Sequence, residues 1–121
     1  MIIKADKNAQ RKQRARRSSG IHGTSLRPRL CVYRSLGQIY AQIIDDDKGE
    51  TIVCANSMQK DLAKKMDGKT KKEQARIIGE EVGKLATAKK IKEVVFDRNG
   101  YVYTGRIAEV AEGARSAGLK F

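Results

Sequence analysis

The chain reads as a mixed α/β domain behind a basic N-terminal extension, and three observations carry that reading. Short β-branched and aromatic runs separated by tight turns mark strands at Arg29–Arg34, Ile39–Asp45 and Glu50–Ala55. Apolar residues at three- and four-residue steps over Lys71–Lys89 and Gly105–Ala117 mark two amphipathic helices. A further apolar run, Ile91–Phe96, lies between them. The order β-β-β-α-β-α predicts a three-stranded antiparallel meander, joined by a fourth, parallel strand through a helical crossover. Both helices are expected on one face of the sheet.

Residues 1–26 are expected to form a flexible basic extension, and 27–121 the folded domain. Counted through Arg29, the first stretch holds nine Lys/Arg and one acid, Asp6. Asp6 could cap a short helix over Lys7–Arg17, but that segment has no apolar face to drive packing. Alone in water it should fray; against phosphates it could fold. Ser18-Ser19-Gly20 and Gly23-Thr24-Ser25 suggest a flexible joint, and Pro28 an extended entry to the domain.

In the meander, Ser35-Leu36-Gly37-Gln38 and Asp46-Asp47-Lys48-Gly49 supply the turns. A two-residue Leu36-Gly37 loop sets Arg34 opposite Ile39, Tyr33 opposite Tyr40 and Val32 opposite Ala41. Leu30, Val32, Ala41 and Ile43 then share the face toward the helices, and Cys31, Tyr33, Tyr40 and Gln42 share the open one. Carried through the second turn, the register adds Ile52 and Cys54 to the apolar face. The two cysteines would lie on opposite faces, without a disulfide.

Asn56–Lys72 is a polar, Lys-rich connection with a helical turn near Lys60–Met66. The first long helix shows a stripe of Ala75, Ile78, Val82 and Leu85; Gly79 and Gly83 weaken it unless close packing requires them. The second turns Ile107, Val110, Ala111 and Ala114 inward, and Gly118-Leu119 reads as a Schellman stop.

Charge narrows the function. The chain has 121 residues, with 26 Lys plus Arg against 14 Asp plus Glu, a net charge of +12 and a pI near 10.0. Such an excess points to a polyanionic partner. There is no apolar run of membrane-spanning length, and Met1-Ile2-Ile3 gives way at once to Lys4 and Asp6, unlike a secretory signal. The cytosol is the expected location. Cys31, Cys54 and the single His22 do not make a zinc set.

Asp45, Asp46, Asp47 and Asp97 raise a metal-dependent nuclease as an alternative, in which Asp45, Asp47 and Asp97 would hold the ions. Three of the four are adjacent in a Gly-containing turn, where aspartates ordinarily serve the turn itself. Non-specific nucleic-acid packaging is another alternative. No nucleophile–base arrangement and no phosphate-loop glycine pattern is present, so neither enzyme activity nor a cofactor is expected. Binding has better material: Arg98 and Arg106 flank Tyr101 and Tyr103, pairing phosphate-seeking cations with rings that could stack on unpaired bases or pack in the core.

RPRLCVYRSLGQIYAQIIDD (27–46) and FDRNGYVYTGRIAEVAEGARSAGLKF (96–121) resemble the bacterial L-eighteen family of ribosomal large-subunit proteins. The likeness covers essentially the whole chain, least tightly over 56–70. It implies a mixed α/β domain with a basic extension that binds 5S rRNA and joins it to 23S rRNA. Its place would be the central protuberance of the cytoplasmic ribosome, beside neighbouring ribosomal proteins, with no membrane or small-molecule substrate. It also implies RNA contacts at Arg27, Arg29, Arg34, Arg98 and Arg106, with Arg11, Lys12, Arg14, Arg16 and Arg17 of the extension alongside. Thr104 stands where the family often has histidine before a Gly-Arg pair, and its hydroxyl can still bond a phosphate or ribose. The turn Ser35-Leu36-Gly37-Gln38 departs from the more basic family form.

Overall fold

The alternation of the first two strands sets their pairing. In the computed structural model, which describes residues 7–17, 21–35 and 37–121, β1 (Arg29–Arg34) runs antiparallel to β2 (Ile39–Asp45). Val32 lies opposite Ala41, Tyr33 opposite Tyr40 and Arg34 opposite Ile39, as the turn length implies. Ser35 N–H donates to the Gln38 carbonyl at 2.9 Å. The expected Asp6 cap, the Ser18-Ser19-Gly20 joint and the Leu36 turn position lie outside the described residues.

Strand β3 (Glu50–Asn56) pairs antiparallel with β2, and β4 (Val95–Asp97) pairs parallel with β1, giving the order β3-β2-β1-β4. Leu30, Val32, Ala41 and Ile43 are buried on one face, whereas Tyr33 and Gln42 are exposed on the other.

Two expectations for the strands are corrected. The register of β3 shifts between Ile43 and Ile44, so Ile43 faces Val53 while Ile44 faces Thr51. The extra residue is Ile52, and a bulge of this kind exchanges the faces of everything beyond it. Val53 and Ala55 therefore enter the core, while Ile52 is only partly buried against its edge and Cys54 is exposed. Cys54 sits beside Gln42, which sits beside Cys31, so the cysteines share the open face and stay free. With β2 between them they stand about 9–10 Å apart, beyond disulfide reach. The fourth strand is also shorter than Ile91–Phe96. Residues before it pair with the C-terminal segment instead: Val94 N–H donates to the Lys120 carbonyl at 3.1 Å, and Glu93 bridges to Lys120 in parallel.

Helices α2 (Lys60–Met66), α3 (Lys71–Ala88) and α4 (Gly105–Ser116) contribute to a single core with the sheet. Thr70 caps α3 by accepting from the Glu73 N–H, an arrangement that the Thr-Lys-Lys-Glu order favours. Its inward stripe is Ala75, Ile78, Val82 and Ala86; Leu85, expected inside, is 38% exposed. The smaller Ala86 takes that place because α3 and α4 cross at very short range. A Cβ on Gly79 would stand 2.1 Å from the Val110 carbonyl oxygen, and one on Gly113 2.4 Å from that of Arg76. Helix α4 ends in the expected Schellman pair: Leu119 N–H donates to Ala114 O, Gly118 N–H to Arg115 O, and Gly118 has φ +110°.

The extension helix α1 (Lys7–Arg17) lies against the domain on the side of the open face, although it lacks an apolar stripe. Arg11 does the packing that apolar residues do elsewhere. It is 8% exposed, with its guanidinium carbon 5.5 Å from the Tyr33 ring centre and 5.2 Å from that of Tyr101.

Candidate nucleic-acid interface

Because β4 runs parallel to β1, its carboxyl end meets the Arg34 end of the sheet. There the loop 98–104 leads to the start of α4, beside the β1–β2 turn. Asn99 (φ +54°) and Gly100 (φ +78°) both take left-handed backbone, which glycine adopts freely and asparagine tolerates. Their carbonyls point at α1: Asn99 O accepts from Arg11 Nη1 at 3.0 Å, and Gly100 O from Arg14 Nε at 2.9 Å.

Tyr101 locks this loop to the strand. Its hydroxyl donates to Arg34 O at 3.1 Å and accepts from Arg34 N–H at 3.3 Å, while the Arg34 guanidinium carbon lies 4.9 Å from its ring centre. The buried ring thus carries Arg11 and Arg34 together, each in cation–π range. It is not presented for stacking. Tyr103 is half-exposed, its edge on Phe96 and its hydroxyl accepting from Arg115 at 3.2 Å.

Arg106 comes from the first turn of α4 and donates to Ser35 O at 3.3 Å. Burial, and then the nearby Arg34 cation, press its guanidinium below the ordinary arginine value. Among the described residues no carboxylate pairs with Arg34 or Arg106. Two cations held close without a counter-ion make a site poised for an anion. Arg98, Lys12 and Thr104 are exposed around this end or along its approaches, whereas Arg27, just before β1 begins, is exposed at the opposite end; the Thr104 hydroxyl makes no capping bond. The side chains of Arg16 and Arg17 lie outside the described residues.

Arg29 is placed differently from the other expected contacts. Asp46 grips it in a two-point pair, Nε–Oδ2 at 2.9 Å and Nη2–Oδ1 at 3.0 Å, and Asp97 takes Nη1 at 2.9 Å. These bonds raise its pKa further and, with the Gly23 N–H, hold the Asp46 carboxyl down at about 2. Asp97 therefore pairs with Arg29, leaving Arg98 to solvent. Asp45 accepts from the backbone N–H groups of Asp47 and Lys48, and Asp47 bonds His22. Among the described residues no cluster of three or more His, Cys, Asp or Glu could hold a metal. None of their helices is long and apolar enough to cross a membrane.

Residues 3–121 match the family model described as Ribosomal L18 of archaea, bacteria, mitochondria and chloroplast. The chain belongs to the ribosomal L18 family. Its relatives include proteins named large ribosomal subunit protein uL18. That of Clostridioides difficile (strain 630) is 57% identical over the full length of both chains. That of Bacillus cereus (strain G9842) is 54% identical, again over the full length of both. Ribosomal L18 is a family of structural proteins rather than enzymes, and Asp45, Asp46, Asp47 and Asp97 are each engaged here in a turn, a salt bridge or both. Two features of this L18 chain had no sequence signal. The docking role of Arg11 depends on aromatic rings far along the chain. The Tyr101 hydroxyl bonds backbone, which any residue at position 34 would offer.

Proposed function

We propose that this L18-family chain is a structural protein of the large ribosomal subunit in the cytoplasmic ribosome, where it binds 5S rRNA. It would help attach that RNA to 23S rRNA in the central protuberance, beside neighbouring ribosomal proteins. The observation that carries this reading is the Arg34–Arg106 cluster at the sheet end, which no carboxylate neutralises among the described residues, with a cationic helix docked alongside. Arg34, Arg98, Arg106, Arg27 and the Thr104 hydroxyl supply contacts from the folded domain, 27–121. Lys12, Arg14, Arg16 and Arg17 supply them from the extension, 1–26. Tyr103 offers a ring edge at the rim. Arg11, Tyr101 and Arg29 act through others: the first two hold α1 and the loop, and Arg29 ties the strand to Asp46 and Asp97. Arginine suits the task because its planar donors match phosphate oxygens.

A gel-shift series with a 5S rRNA transcript tests the reading. Affinity should fall with a log–log salt slope of about −0.7 to −0.9 per phosphate contact, and an unrelated RNA hairpin should bind more weakly. A flat salt response, or equal affinity for the hairpin, would refute it.

A further inference from the structure

The Lys-rich connection between the meander and α3 plays no part in the site above. Residues 60–72 hold six lysines, all exposed, against two acids, Asp61 and Asp67. Exposed lysines on a helix are usually no more than a solvated face. Topology makes these different. Strand β3 ends at Asn56, opposite Tyr40, so α2 begins at the end of the sheet where β1 turns into β2. Helix α3 runs back along the sheet and leaves its first turn at that end too. The loop 98–104 and Arg106 are there as well, since β4 parallels β1.

The opposite end carries Asp45, Asp46, Asp47 and Glu50 together with Arg27, Arg29, Lys48 and Lys89, and Asp46 holds Arg29 in an ion pair. At that end acids and cations thus offset one another, whereas the lysines of 60–72 outnumber their acids six to two. Between the arginine cluster and the lysines lies an open polar cleft of about 320 Å³, lined on one side by Gly37 and Gln38 of the β1–β2 turn and on the other by Ser57, Asp67, Gly68 and Gln74. Met58 is the single large apolar residue of this region exposed among the described residues, which is little for a protein partner to bury.

We propose that α2 and the first turn of α3 form a second phosphate-contacting surface, continuous with the arginine cluster across the β1–β2 turn. An RNA backbone would then follow a track around the end of the sheet, from the open face to the helical side. Four strands and one helix layer make that track roughly 25 Å long, enough for several nucleotides. Lysine, a mobile point charge, suits backbone contacts that carry no sequence information. This inference rests on the RNA-binding reading above.

The test uses the full chain with Lys60, Lys64, Lys65 and Lys69 all changed to glutamine, which keeps helix propensity close to that of lysine. A control chain carries the same change at exposed Lys48, Lys84, Lys92 and Lys120, removing equal charge elsewhere. Circular dichroism checks that both fold. In gel shifts with the 5S rRNA transcript, the first variant should bind roughly 10- to 100-fold more weakly, its salt slope shallower by about 2–4 units. The control should lose less than about one unit of slope. If the unsubstituted chain binds and the two variants match each other, the second surface does not contact RNA, and a protein partner or bare solvent is the better reading. If the unsubstituted chain fails to bind, both this inference and the proposed function fall.

Discussion

Placing a methyl group at position 79 should destabilise the protein by about 2–3 kcal/mol, although Gly→Ala in a helix ordinarily stabilises by up to about 1 kcal/mol. The propensity gain is outweighed because the new carbon would stand 2.1 Å from the Val110 carbonyl oxygen and 2.9 Å from Val110 Cα. Both are backbone atoms and cannot rotate away as a side-chain end could. Relief requires α4 to move off α3, which opens the packing around Ile78, Val82 and Ala114. Gly113 meets α3 in the same way from the other side, 2.4 Å from Arg76 O and 2.9 Å from Glu80 N, so the crossing has no slack on either helix. Urea unfolding of Gly79→Ala and of Gly37→Ala checks this. An added Cβ at Gly37 meets nothing within 4 Å, so that variant should stay close to the parent. A Gly79→Ala protein as stable as the parent would show that the helices do not cross this closely.

Deleting residues 1–26 should leave a folded domain that binds 5S rRNA at least about a hundredfold more weakly at physiological salt, since seven Lys/Arg against one acid, half of the net charge of +12, go with them. The core cluster runs from Leu30 to Leu119, with Phe121 packed against it, and takes nothing from the extension. The deletion does remove the Arg11 and Arg14 bonds to the loop carbonyls, the Arg11 cation from the Tyr33 and Tyr101 rings, and the Gly23 N–H and carbonyl from Asp46. A modest stability loss, on the order of 1–2 kcal/mol, is therefore expected alongside the binding loss. Circular dichroism separates the two effects. Global unfolding of the shortened chain would mean that the extension and the domain are one folding unit.

How much of this was legible in the sequence differs from element to element. The β1–β2 register follows from alternation and turn length, both local properties. The Schellman stop at Gly118 is local too. What escaped depended on partners distant in sequence. The bulge at Ile52 changes which of two neighbouring apolar residues faces inward, and Ile52-Val53 alternates equally well either way. Ala86 displaces Leu85 from the stripe because of how near α4 comes, which only the glycines of both helices together reveal. Within the candidate site, Arg98 and Arg106 stand out by their spacing around Tyr101 and Tyr103. Arg29 could not be told from them, because its carboxylates lie 17 and 68 residues away. Arg11 likewise looked like one more solvated cation until the rings of Tyr33 and Tyr101 were brought beneath it.

The central claim is that the chain meets RNA with the Arg34–Arg106 end of its sheet and turns the aspartate-rich β2–β3 turn away. Hydrogen exchange followed by mass spectrometry, on the full chain with and without a 5S rRNA transcript, tests this most directly. Peptides covering residues 98–106 should slow markedly on binding, while those covering the β2–β3 turn, 45–50, should exchange as in the free protein. Protection of 45–50 with no change at 98–106 would contradict the claim.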